Sequence, residues 1–286
     1  MPEYLPHAVS RLRTARLARS TKPFLARGGP HGQRCAGCRL IVSHCICALR
    51  RTVPTHCGVC LLMADIEPLK PSNTGWLIAD VVADTAAFGW ARTAVDPALL
   101  ALLADPQWQP YVVFPGEYVT ADRVVTQIAG QVTGQVTEPV AGQLPEHPAQ
   151  PPTSQITPQS AMQNIASTTT PAVSKRPLFV LLDATWPEAR KMFRKSPYLD
   201  HLPVLSLQPD QLSRYRLRRS RRDDHFCTAE VAALCMDLAG DTQAAQTLEA
   251  TLDVFTHHYL QAKHQLPVNL EGEAHLRWRA LQAVDF

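Results

Sequence analysis

Short apolar runs alternate along the chain with stretches of helical period. The clearest run spans 178–182, five apolar residues together, which suits a strand covered on both faces, as in a parallel sheet. It ends in Asp183 and passes directly into a helix. Thr185 and Glu188 have the spacing of a capping box, and Pro187 falls in the first turn, where a missing N–H costs nothing. The same pattern predicts strands at 59–63, 87–91, 111–114 and 204–207. Helices are expected over 76–82, 96–103, 227–239 and 242–264. Leu248, Leu252, Phe255 and Tyr259 form the core-facing stripe of the last one. His257, His258 and His264 read as surface histidines. Strands alternating with helices predict an α/β fold with a mostly parallel sheet and flanking helices. Asp183 then lies at the carboxyl end of a strand, where such sheets place their ligand crevices. By itself the motif is equally compatible with simple helix initiation.

The periodicity breaks in two places. Residues 119–176 contain no aromatic side chain, few charges, much Gln, Thr and Pro, and a repeated GQVT. Such a segment cannot bury enough apolar surface to offset the cost of ordering, so it is expected to be a disordered insertion. Residues 1–34 carry seven Arg or Lys against Glu3 alone. They read as a flexible basic arm for nucleic-acid phosphates, with a solvated tail or a transit peptide as alternatives. The expected organisation is an arm at 1–34, a cysteine knuckle at 35–57, an α/β domain at 58–266 broken by the insertion, and a tail at 267–286.

Composition adds the chemistry. Six of the eight cysteines lie between Cys35 and Cys60, and there is no apolar run or leader pattern for a membrane or for secretion. A soluble, cytoplasmic protein with clustered thiols favours zinc over disulfides. Cys35, Cys38, Cys45 and Cys47 form two close pairs that can close a tetrahedral structural site. Cys57 and Cys60 make a further C-x-x-C, and His44 and His56 are weaker substitutes; Cys60 begins an apolar run and reads as a strand thiol. The net charge is only +3, but it is concentrated. Arg190, Lys191, Arg194 and Lys195 share one helix, and Arg214, Arg216, Arg218, Arg219, Arg221 and Arg222 fall within nine residues around Tyr215. Together with the basic arm, the arginine run points to nucleic acid.

The cysteine knuckle, the segment Lys70-Pro-Ser-Asn-Thr-Gly75, Asp183-Ala-Thr-Trp186 and Cys227-Thr-Ala-Glu230 occur in an order that resembles the DTW-domain family, the tRNA-uridine aminocarboxypropyltransferases. Trp76 stands where that family often has arginine, which implies an altered phosphate or substrate contact, and Cys227 stands where it often has serine. The resemblance implies a SPOUT-like knotted fold. It also implies transfer of the 3-amino-3-carboxypropyl group of S-adenosylmethionine to N3 of a uridine in the tRNA variable loop.

Under that reading Asp183 is the expected base, with Thr185 and Trp186 shaping the crevice. The S-adenosylmethionine contacts are expected from Asn73, Thr74, Gly75, Phe114, Pro115, Gly116, Leu205, Leu207, Thr228, Arg218 or Arg219 at the carboxylate, and Glu230 at the amino group. Rival readings are a SPOUT-like methyltransferase using the same donor and a non-catalytic zinc-containing RNA-binding module.

Overall fold

A computed structural model describes residues 6–21, 24, 33–128, 175–207 and 226–283. The elements run in the order α1 (Ala8–Ala18), β1 (Gly58–Met63), α2 (Gly75–Val81), β2 (Thr85–Gly89), α3 (Pro97–Ala104), β3 (Trp108–Val113), β4 (Val124–Val125), β5 (Arg176–Asp183), α4 (Trp186–Arg194), β6 (Val204–Leu205), α5 (Thr228–Leu238), α6 (Thr242–His264) and α7 (Glu273–Ala283). The six strands form one parallel sheet in the order β2-β1-β5-β3-β6-β4. The expected parallel α/β fold is therefore what the chain adopts.

The alternation of each central strand explains its unbroken apolar run. Val59, Leu61 and Met63 of β1, with Phe179 and Leu181 of β5, enter a core shared with α2, α5 and α6. Cys60 and Leu62 of β1, with Leu178 and Val180 of β5, enter a second core beneath α3 and α4. A fully buried side chain such as Leu61 or Phe179 contributes about 2–3 kcal/mol relative to exposure. Cys60 is one of these core residues, as its strand position predicts. β5 lies between β1 and β3 although it follows both in the chain, so their carboxyl ends meet on one edge. There the backbone leaves β1, β3 and β5 in different directions, the arrangement that opens a crevice in α/β sheets.

Four expectations change. The basic arm is not flexible throughout, because residues 8–18 form α1 and dock on the fold. His7 caps the helix by accepting from Ser10 N at 3.2 Å, and Val9 is fully buried. Arg13 donates to the carbonyls of Pro68 and Leu69 at 3.2 and 2.7 Å, and Arg16 makes a bidentate pair with Asp65 at 2.7 Å. Arg11 and Arg34 donate to the carbonyls of Pro6 and Arg39, so among the described residues four of the arm's cations bond to the protein itself. The insertion begins later than residue 119, since β4 pairs with β6 and Ile128 is buried; residues 129–174 lie outside the described set. The tail contains α7, which buries His275 and Trp278 and sets Arg277 against Glu249 and Asp253. His258, expected on the surface, is buried. Its Nδ1 faces the His44 carbonyl, and its Nε2 lies 3.0 Å from His275 Nε2.

Candidate functional site

Asp183 ends β5 opposite Met63 of β1, and only 4% of it is exposed. Its carboxylate joins three segments that are distant in sequence. Oδ2 accepts from Asn73 Nδ2 at 2.7 Å, and Oδ1 accepts from Thr228 Oγ1 at 2.7 Å. Asn73 is fixed in turn, because its Oδ1 caps α2 by accepting from Trp76 N at 3.1 Å. Thr74 Oγ1 accepts from Ala229 N, tying the start of α2 to the start of α5. Gly75 has a steric cause: a Cβ there would lie 2.5 Å from Asp183 Oδ2 and 3.2 Å from Leu61. The Asn73-Thr-Gly75 segment is thus shaped around the carboxylate. A residue with a side chain at 75 would push the acid out of register.

The other strand ends complete the edge. After β3, Phe114 N donates to the Leu205 carbonyl at 3.2 Å, and Gly116 N donates to Ser206 Oγ at 3.0 Å. A Cβ on Gly116 would lie 3.2 Å from both Ser206 and Val124. Leu205 is fully buried, so it can present only backbone to a ligand, whereas Leu207 is half-buried. Thr185 begins α4 with the expected capping box: Glu188 accepts from Thr185 N at 3.1 Å. Trp186 is 40% exposed and stacks on Phe114, with centroids 5.4 Å apart and planes 15° apart. Phe114 stacks in turn on Phe193, and Tyr118 meets both Trp186 and Phe114 edge-on. Trp186 therefore forms the outer end of an aromatic pile rooted in the core.

Glu230 is buried and accepts from Cys227 N at 2.7 Å. This bond closes the α5 cap and sets Thr228 beside Asp183, a positioning contact. Cys227 occupies the cap position, so the departure from serine preserves the helix start. Arg214, Arg216, Arg218, Arg219, Arg221 and Arg222 lie outside the described residues.

Two residues missed by the sequence reading support this edge. Glu67 is buried in an ion pair with Lys70. Burial first, and then the charge of Asp183, holds its carboxyl above the usual range. Arg39, 2% exposed at φ 67°, donates to the carbonyls of Lys70 and Asn73 at 2.9 and 3.0 Å. Its guanidinium lies 4.3 Å from the centroid of the Trp76 ring, whose Nε1 donates to the Gly37 carbonyl at 3.0 Å. Trp76 is thus a buried hinge between knuckle and α2. The expectation that it alters a phosphate or substrate contact gives way to a packing role, since only 1% of it is exposed. Arg39 had no periodicity or motif to mark it; its position one residue after Cys38 was the only signal.

The sulfurs of Cys35, Cys38, Cys45 and Cys47 all lie within 4.8 Å of one another. The closest separations are 3.5 Å for Cys35 with Cys47 and with Cys45, and 3.7 Å for Cys38 with Cys45. Tetrahedral coordination with metal–sulfur bonds of about 2.3 Å sets sulfurs about 3.8 Å apart, so these four can hold a metal ion. Hydrogen bonding from Cys47 pulls the Cys38 thiol down to about 5. Its bond with Cys38 holds Cys47 up, and burial holds Cys45 up to about 11. Four thiols this close cannot all ionise without a cation among them. Cys57 and Cys60 lie outside the cluster, buried in the core.

Among the described residues no helix is long and apolar enough to cross a membrane. No solved structure matches the chain at a significant level. Comparison with known protein families matches residues 32–260 to the DTW domain, a span that takes in the knuckle, the Asp183 edge and most of α6. The chain therefore belongs to the DTW domain family, a family associated with tRNA modification.

Proposed function

We propose that this protein transfers the 3-amino-3-carboxypropyl group of S-adenosylmethionine to N3 of a uridine in the variable loop of tRNA. The observation that carries the reading is Asp183, a buried carboxylate at the sheet's switch point, oriented by Asn73 and Thr228 and followed three residues later by the exposed Trp186.

The reaction breaks the N3–H bond of uracil and the bond between sulfonium sulfur and the methylene of the methionine arm. It forms a bond from N3 to that methylene. The sulfur keeps the electron pair and leaves in 5′-methylthioadenosine, and the N3 proton passes to Asp183 and then to solvent. Three carbons flank the sulfonium, so the choice of methylene over methyl depends on orientation. Asn73 and Thr228 each hold one Asp183 oxygen, so the carboxylate stays aimed while it takes a proton.

The donor would lie across the carboxyl edge of the sheet. Backbone of Asn73-Thr-Gly75, Phe114-Pro-Gly116 and Leu205 to Leu207 would face it, with Thr228 at the Asp183 end and Arg218 or Arg219 at its carboxylate. Gly75 and Gly116 fit this use, being positions where the packing leaves no room for a side chain beside the backbone. Thr185 holds α4 so that Trp186 stands at the crevice mouth. Zinc fits the Cys35, Cys38, Cys45 and Cys47 site. Four thiolates leave no open position, so the metal would serve structure rather than chemistry. Through Arg39 the knuckle steadies the turn that carries Asn73. A cytoplasmic tRNA is the expected partner of the arginine run at 214–222.

Incubation with tRNA and S-adenosylmethionine, followed by digestion and mass analysis of nucleosides, tests the reading. The expected product is 3-(3-amino-3-carboxypropyl)uridine. A methylated nucleoside with S-adenosylhomocysteine would establish the methyltransferase alternative, and unmodified tRNA would refute transfer.

A further inference from the structure

The outer surface of α4 has no role in the chemistry above, yet its composition is specific. Ala189, Met192 and Phe193 bury one face of the helix, while Arg190, Lys191, Arg194 and Lys195 are exposed on the other. Among the described residues none of these four cations pairs with a carboxylate. By contrast Arg16, Arg50, Arg176, Arg277 and Arg279 each do. Cations near a helix C-terminus also favour its dipole, and that reason covers Lys191, Arg194 and Lys195 but not Arg190.

Aromatic rings are interleaved with these charges. The Arg190 guanidinium lies 5.3 Å from the centroid of half-buried Tyr118, and Lys191 Nζ lies 5.8 Å from that of half-buried Trp90. The Trp90 ring is held by a 3.0 Å bond from its Nε1 to Ser196 Oγ. Trp186, Arg190 and Arg194 are spaced i, i+4, i+8, so they form one ridge of the helix, about 12 Å long, leading away from Asp183.

Cations in a row beside partly exposed rings suit a nucleic-acid strand whose phosphates follow the charges and whose bases meet the rings. N3 is a Watson–Crick atom, so a uridine that reacts there must be unpaired, and the strand leaving the crevice is single at that point. We infer that α4 is a track for the unpaired RNA strand adjoining the target uridine. Arg190 and Arg194, flanked by Lys191 and Lys195, contact successive phosphates, and Trp186 is the first stacking platform. The inference rests on the uridine-modifying reading and adds a surface distinct from the arginine run at 214–222.

The test measures equilibrium binding of the full chain to tRNA and to a single-stranded oligouridylate over a range of salt. Variants are Arg190→Ala/Arg194→Ala and Trp186→Ala, with Lys263→Ala on exposed α6 surface as control. Circular dichroism checks that each is folded. Loss of two phosphate contacts is expected to weaken oligouridylate binding at least about tenfold and to lower the slope of log affinity against log salt by about 1.4. Trp186→Ala is expected to lose about tenfold with an unchanged slope, because stacking releases no counterions. Lys263→Ala should match the parent.

Binding of the double variant within twofold of the parent at the same slope overturns the track, as does a parent that binds neither RNA. Equal binding of polyglutamate would reassign the surface to an acidic protein partner. The two readings separate cleanly. If the double variant loses RNA affinity while the parent forms no aminocarboxypropyl product, the track stands and the transferase reading falls. Product formation with unchanged RNA affinity in the double variant gives the reverse.

Discussion

Asp80 and Asp183 are equally buried, each 4% exposed, and they sit at opposite ends of α2. Asp80 meets the guanidinium of Arg50 and lies 3.3 Å from His7 Nε2. Burial pushes its carboxyl up to about 7 despite those neighbours, and burial pulls His7 down to about 3. This carboxylate clamps two flanking segments, α1 and the stretch after the knuckle, onto the domain. Asp183 instead receives bonds from Asn73 and Thr228, and Gly75 leaves room for it at the crevice edge. Burial alone therefore does not separate a structural acid from a functional one. Position at a strand end and the segments brought together do.

The comparison breaks most sharply at the acids themselves. Asp183→Asn should lower aminocarboxypropyl transfer by about 10²-fold or more, the range of a lost general base, with little change in melting temperature. Equal rates for parent and variant would remove Asp183 as the base. Asp80→Asn should do the opposite. It removes the carboxylate charge that faces the part-buried Arg50 and destabilises by about 1–3 kcal/mol, while the rate per folded molecule is unchanged. Denaturant titration beside a transfer assay reads both quantities.

Gly75→Ala joins the two effects, because its Cβ would collide with Asp183. A loss of about 1–3 kcal/mol should come with a large fall in transfer, checked by unfolding and rate measurements on one preparation. Arg39→Met tests how the knuckle supports the site. It removes two hydrogen bonds to the Lys70–Asn73 turn and should lower stability by about 1–3 kcal/mol, again with reduced transfer.

The smallest effect concerns pH. Burial lowers His258 to about 4 and also lowers His275, so both are neutral in the fold and charge more readily when unfolded. Their contribution is complete above the unfolded value near 6.5 and is lost as pH falls toward 4. His258→Asn should flatten the decline in melting temperature over that window by a few degrees. An identical decline in the variant would assign the acid sensitivity elsewhere.

The legible parts of the chain are those in which local pattern and tertiary role agree. β1 and β5 are buried on both faces and read as unbroken apolar runs, and α6 carries its core stripe for more than five turns. The four cysteines, Asp183 and the Asn73-Thr-Gly75 turn were legible because spacing or family motif marks them. α1 and α7 were missed because few of their apolar side chains are buried, too few to mark a core-facing stripe. Val9, His275 and Trp278 do the docking, and arginine bonds to distant partners complete it. Glu67 and Arg39 were missed for a different reason. Each acts on a residue remote in sequence, Glu67 on Asp183 and Arg39 on Asn73, which no local period encodes.

The most direct measurement follows which carbon of the donor moves. S-adenosylmethionine carrying one isotope in the methyl and another in the methionine carboxyl is incubated with the protein and tRNA, and both labels are counted in the recovered RNA. The account predicts the carboxyl label in tRNA and the methyl label in released 5′-methylthioadenosine. Methyl label in tRNA without carboxyl label would contradict it.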